Sequence, residues 1–470
     1  MPHLGLAKLV SIIISILILS FSLSCRKDLD FETNSNISLQ FSKDTIFLDT
    51  IFTQSNSETY LLKVFNNSDN DVSLSNIYLN QRQNSNFRIN VDGVPGFEFF
   101  EVPLRANDSL MVFVEVAIHQ SNNMMIEEDE LVFADSNQQI KLLATIEEAF
   151  YHYPATGEDF VYINQNTDWN NTKSHVIYGT LKVDNAELNI APGTKIYFHN
   201  NSGMIVENDG NLNLNGTLEN PILIRGDRHD ARYDSLPKQW NEIKLINANL
   251  NSNYAIVKGG KNGFNLENAS ASIENTQIYN MSSSGIFAKN ANISGKNVVI
   301  SDAGDASLNI EKGGDYAFYY STFANFWRSG IVGVNGPNVP AYLSNYTEDE
   351  DGNETYATLN AVFGNCIFFG RYPNGVYLDE NENAGFLTSF NRCLIKNENT
   401  TEIDYATHPN FINPLTGDPL FMSTILSEQD LRLQDESPAM NTGDNVFNSQ
   451  MPRDIKGVLR ENTPNLGAYE

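Results

Sequence analysis

Basic residues are scarce in this chain: 30 Lys and Arg stand against 58 Asp and Glu over 470 residues, for a formal net charge of −28. Nucleic-acid binding needs clustered cations to neutralise phosphates, so that class of partner is set aside. Long apolar runs are also missing. The longest, Leu9–Phe21, holds 13 residues, too few to span a bilayer as a helix. Extended amphipathic segments of 3.6 periodicity are absent, which excludes helical repeats. Histidines number seven and none falls between Ile273 and Phe326; neither Cys366 nor Cys393 has a neighbouring His to make it a nucleophile. What remains, with 41% hydrophobic residues, is a folded chain whose acidic surface favours solubility.

What is present is a repeat of pattern. Ser272-Ile273-Glu-Asn-Thr-Gln-Ile278, Asn292-Ile293-Ser-Gly-Lys-Asn-Val298 and Ala317-Phe318-Tyr-Tyr-Ser-Thr-Phe323 each place two apolar residues five apart, at steps of 20 and 25 residues. Val362 with Ile367 and Phe390 with Ile395 continue it more loosely. Short β-prone runs and Asn/Gly/Ser corners at this period predict a solenoid of strands, with Ile273/Ile293/Phe318 and Ile278/Val298/Phe323 as two inward stacks. Corner asparagines are expected to ladder, amide on amide. The expected fold class is all-β, a parallel β-helix preceded by a small antiparallel β-sandwich. The sandwich is read over 38–148, where Tyr60–Phe65, Phe87–Val91 and Met111–Val116 alternate between polar turns such as Asn66–Asp71. The β-helix is expected over 149–410 and a closing segment over 411–470.

Several of these stretches carry resemblances. Lys8, the apolar run and Ser22-Leu23-Ser24-Cys25 before Arg26-Lys27-Asp28 resemble a bacterial lipoprotein signal. The resemblance implies removal of 1–24, acylation of Cys25, a tether over 25–37 and an outer-membrane lipoprotein facing the periplasm or the cell exterior, with the lipid bilayer as a partner. The alternative is an ordinary signal peptide followed by an unmodified Cys25. The segment 38–148, with Asp49-Thr50-Ile51-Phe52-Thr53 and Asn90-Val91-Asp92-Gly93, resembles immunoglobulin-like modules found ahead of β-helices, though it lacks a Cys…Trp…Cys core. Gly179–Val183, Ala191-Pro-Gly-Thr194, Lys195-Ile-Tyr-Phe198, Asn215-Gly216-Thr217 and Asn220-Pro221-Ile222 resemble the right-handed, pectate-lyase-like β-helix superfold. Asp418-Pro-Leu-Phe421, Asp430-Leu-Arg-Leu433, Ser437-Pro438-Ala439 and Gly467-Ala-Tyr-Glu470 resemble the closing segment of bacterial β-helix proteins, a role that covers exposed strand edges.

Enzymes of that superfold cut polysaccharides with carboxylates on neighbouring coils, joined by a His, an Arg or a Lys. Here Asp302, Asp305, Asp315 and Arg328 are the catalytic candidates, with Lys289 and Lys296 as candidate bases; no adjacent Asp-Asp, Asn-Thr-Asp or Gly-His-Gly accompanies them. Asp349, Asp351 and Asn353 offer oxygen ligands for Ca²⁺, without the bidentate Glu of an EF-hand. Trp327, Tyr342, Tyr346 and Tyr372 are candidate exposed aromatics for stacking on sugar rings. The expectation is a non-catalytic lipoprotein scaffold binding a polysaccharide or a surface protein. The alternative is a polysaccharide lyase or glycoside hydrolase on the same coil. A disulfide between Cys366 and Cys393 and a pair of stacked core thiols stay equally open.

Overall fold

A computed structural model describes residues 31, 37–53, 57–117, 125–230, 232–327, 338–349, 351–398 and 404–470. The chain divides into two compact units between Ile146 and Glu147.

In the first unit, strict alternation writes the fold. Asp108–Val116 (DSLMVFVEV) buries Leu110, Val112, Val114 and Val116 and turns the intervening side chains outward. Two five-stranded sheets face each other with Leu62, Val64, Ile77, Phe87 and Leu142 between them. The strand pairs run antiparallel, as Tyr60–Asn66 does against Asp108–Val116. The corner at Asn66 is held by its own side chain. Its Nδ2 donates to the carbonyls of Asn70 at 2.9 Å and Arg105 at 3.0 Å, and its Oδ1 accepts from Ser68 N.

The second unit is a parallel β-helix. Among the described residues, one sheet of ten strands runs from Ala149–His152 to Leu394–Ile395, and a second of seventeen runs from Phe160–Ile163 to Phe411–Ile412. A typical coil is Ser174–Ile177, Thr180–Asp184, Glu187–Ile190: one strand in the ten-stranded sheet, then two in the wider one. Each coil pairs in parallel with the next, as Leu181 with Met204 and Leu188 with Leu212. The corners need residues that tolerate the left-handed region, and asparagine, whose short amide bonds locally, supplies most of them. Asn185, Asn208, Asn247, Asn268 and Asn290 turn the chain within the wide sheet at φ between 48° and 55°. Asn275, Asn297 and Asn365 turn it back toward the ten-stranded sheet.

The same asparagines ladder. Asn297 Nδ2 donates to Asn275 Oδ1 at 2.9 Å, and Asn275 Nδ2 to Asn253 Oδ1 at 2.9 Å. Inside the coil, aromatic rings stack in a column: Phe318 on Phe363 at 5.7 Å, Phe363 on Phe390 and Phe390 on Phe411 at 4.7 Å. A second column sets Phe323 on Phe368 at 4.9 Å. These spacings follow the separation of neighbouring strands, about 4.8 Å.

The inward stacks differ from the sequence expectation in their partners. Ile273, Ile293 and Phe318 are all buried, but Ile273 pairs with Gly295, which pairs with Phe318. Ile293 stands in the neighbouring row, between Ala271 and Tyr316. In the other stack Ile300, not Val298, lies between Ile278 and Phe323. Val362 is 40% exposed, and its neighbour Phe363 faces inward. The physical reason is Gly295: a Cβ there would meet Phe318 Cδ1 at 2.1 Å, so the row leaves that place empty for the ring. A search for apolar letters passes over a glycine.

The closing segment lies along the side of the coil. Phe421, Leu431, Ala439, Ile455 and Leu466 pack on Val299, Ala324, Ile367 and Leu394, which stand in two neighbouring outward rows of the ten-stranded sheet. Arg460 anchors it: the buried guanidinium pairs with Glu470 at 3.1 Å, donates to Asn297 Oδ1 at 2.7 Å and lies 3.7 Å from the centre of the Tyr320 ring. Cys366 and Cys393 are buried free thiols.

Candidate binding face

Outward residues of the wide sheet repeat in register from coil to coil, so like groups line up. One row runs Asn249–Ser270–Asn292–Asp315–Asn360, and the next runs Asn251–Ser272–Ser294–Ala317–Val362. The small residues Ser272, Ser294 and Ala317 form the floor of an open groove of about 740 Å³. Among its lining residues Asp315 alone carries charge. Toward the start of the coil the amides bond one another, Asn251 Nδ2 to Asn213 Oδ1 and Asn213 Nδ2 to Asn189 Oδ1, each at 2.8 Å. The groove therefore presents amides and hydroxyls at regular spacing on a rigid support. Such groups donate and accept at once, as the hydroxyls of a polymer do.

The catalytic candidates are dispersed. Asp315 sits in the groove, where Asn360 Nδ2 donates to it at 2.8 Å. Asp302 lies within the strand Val299–Ala303 of the other sheet and is 4% exposed beneath the closing segment; it accepts from Phe326 N at 3.0 Å and Gln429 Nε2 at 2.5 Å. Burial pushes its carboxyl up to about 6, against the pull of those two hydrogen bonds and of Arg371. Asp305 lies in the turn beyond and accepts from Ser283 Oγ. Lys296 pairs with Glu274 at 3.1 Å, and Lys289 stands in register between Glu267 and Glu311. Arg328 and Cys25 lie outside the described residues.

The acidic loop is self-contained. The Asp349 carboxylate accepts from the backbone of Asp351 at 3.0 Å and of Asn353 at 2.8 Å, and from Asn353 Nδ2. These bonds hold its carboxyl below the usual range. No cluster of three or more His, Cys, Asp or Glu able to hold a metal is found among the described residues.

Of the aromatic candidates, the structure brings two together and removes one. Tyr342 and Tyr346 both donate to Asp379, Tyr342 at 2.6 Å and Tyr346 at 3.2 Å. Tyr342 stacks on Tyr377, its partner in the next coil, with centroids 5.6 Å apart and planes at 10°. Tyr377 is 40% exposed. Burial first, then Asp379, raises the Tyr342 phenol, so it stays a donor at neutral pH. Tyr372 is half-buried on the neighbouring loop. Trp327, expected at the surface, is 7% exposed, its backbone N–H bonded to Asn325 Oδ1 at 3.1 Å. Tyr377 and Asp379 went unrecognised in the sequence. The signal was there: Val376-Tyr-Leu-Asp379 alternates as a strand one coil above Ala341-Tyr-Leu-Ser344.

Fold and face together define a parallel β-helix with a preceding β-sandwich and a polar, laddered outer surface. Models of known protein families give no match to the chain, and neither do the curated proteins.

Proposed function

We propose that the chain is a surface or periplasmic lipoprotein of the pectate-lyase-like β-helix superfold whose coil binds a polysaccharide without cutting it. The observation that carries this reading is the groove over Ser272, Ser294 and Ala317, with amides and hydroxyls in register and one carboxylate. Acid–base cleavage of a glycosidic bond needs two groups at a set separation across one bond. Asp302 and Asp315 stand on different sheets, and Asp302 is buried under the closing segment. The platform of Tyr342, Tyr377 and Asp379 offers a ring face for stacking on a sugar.

The test is to incubate the full chain with neutral and acidic polysaccharides, following retention of polymer and the appearance of new reducing or unsaturated ends. Retention without new ends supports the reading; new ends would establish a lyase or hydrolase instead. Anchoring through Cys25 is tested by Cys25→Ala, which should move the protein out of the membrane fraction. Unchanged detergent partitioning would remove the lipid from the account.

A further inference from the structure

A second concavity lies on the ten-stranded sheet, away from the groove. Its floor is built by outward residues of three successive coils, with Lys258, Tyr279 and Ser301 in register and Gln277 paired with Val299. One wall is the turn at Asp234 and Ser235. The other is Leu426–Gln429 of the closing segment, with Tyr469. Segments nearly two hundred positions apart in the chain thus close on one rigid floor, enclosing about 520 Å³. That volume falls within the usual range for a small-ligand pocket, roughly 300–1,000 Å³.

The chemistry of the walls narrows the occupant. Asp234 pairs with Lys258 at 3.2 Å and with Arg225 at 2.9 Å, so both signs of charge stand at one end. Glu428 adds a carboxylate at the rim. An anionic ligand would face Asp234 and Glu428, and a cationic one Lys258. A hydroxyl both donates and accepts, so it bonds to either member of the pair. Tyr279 and Tyr469 are half-buried at the pocket, and neither phenol has a hydrogen-bond partner among the described residues. Ser301 and Gln429, by contrast, are bonded to each other at 2.5 Å and fix the closing segment to the floor.

We infer that this cavity is a binding pocket for an uncharged saccharide of one or two rings, held by the Asp234–Lys258 pair and the hydroxyls of Tyr279 and Tyr469. The pocket and the groove belong to different sheets, and neither reading rests on the other.

The test is titration of the full chain with glucose, galactose, lactose and maltose, alongside glucuronate and glucosamine, read by calorimetry and saturation-transfer NMR. At least one neutral sugar should bind. The double change Tyr279→Phe with Tyr469→Phe should weaken it at least tenfold at an unchanged melting temperature. Ser427→Trp, at an exposed position on the rim, should block entry, whereas Ser294→Glu in the groove should leave the affinity unchanged. The inference is overturned if no neutral sugar of the panel binds or if a charged sugar binds as well. It also falls if the tyrosine and Ser427 variants bind like the unaltered chain, or if Ser294→Glu abolishes the interaction.

Discussion

Single residues decide here through the side of the coil they face. Ile293 is 3% exposed between Ala271 and Tyr316, whereas Asn292 beside it faces solvent in the groove. Ile293→Asp buries a carboxylate with no partner and should cost several kcal/mol even after its pKa rises. Asn292→Asp sets a second carboxylate beside Asp315 on the next strand and should still cost no more than about 1 kcal/mol. Thermal melting of the two variants distinguishes them, and equal melting temperatures would mean the inward row is misassigned.

Asp302 gives a pH dependence of definite sign. Its folded pKa, raised to about 6 by burial, lies above the ordinary value of 3.8, so the folded state holds the proton more tightly. Its contribution is therefore most favourable below the unfolded pKa and declines as pH rises through 6. Asp302→Asn keeps an acceptor for Phe326 N and suits the left-handed backbone at φ 54°. That variant should melt higher than the unaltered chain at pH 7.5 and no higher at pH 4; a gain of equal size at both would show that ionisation is not the cause. His152 and His175 act in the opposite direction. They lie 3.0 Å apart, and burial lowers each to about 4. Their stabilisation is present above the unfolded value near 6.5 and is lost as pH falls through 4. The comparison of Asp302→Asn with the unaltered chain at each pH cancels this shared term.

At the level of elements, the coil is a stack of nearest-neighbour interfaces, so a misfit in one row strains the coils on both sides. Gly295 is the sharpest case, because Phe318 occupies the space a side chain would need. Gly295→Val should destabilise by about 1–3 kcal/mol through overpacking. Pairing it with Phe318→Ala should restore part of the loss, a coupling that a double-mutant cycle measures. Additivity of the two changes would refute the close packing of this pair.

This row also shows how far the sequence could be read. The parity of Ile273, Ile293 and Phe318 was legible because burial alternates along a strand. Which residue stacks on which was not, since Gly295 and the irregularity between Lys289 and Ala291 shift the spacing between coils. The asparagine corners were legible for the same reason that they work: few other residues tolerate that backbone. The tyrosine platform was read only in part, because Asp379 reaches Tyr346 across 33 residues of chain.

On the scale of the whole molecule, the closing segment serves two purposes on the outer side of the ten-stranded sheet. It covers the apolar outward residues Val299, Ala324, Ile367 and Leu394, and with Leu426–Gln429 it walls the pocket beside Lys258. The sequence motifs were read as a cover for exposed strand edges; the packing along the side of the coil was not legible, because it depends on which outward residues of the coil are apolar. The groove was equally hidden: its residues lie on strands many positions apart, and only the coil brings them into register. The central claim is that this groove binds a polysaccharide. It is tested most directly by affinity electrophoresis of the full chain through gels containing neutral or acidic polysaccharides, against Ser294→Glu. The account predicts that at least one polymer retards the unaltered chain and that Ser294→Glu, on the groove floor, migrates freely through the same gel. Equal retardation of both proteins, or of neither in any gel, would contradict it.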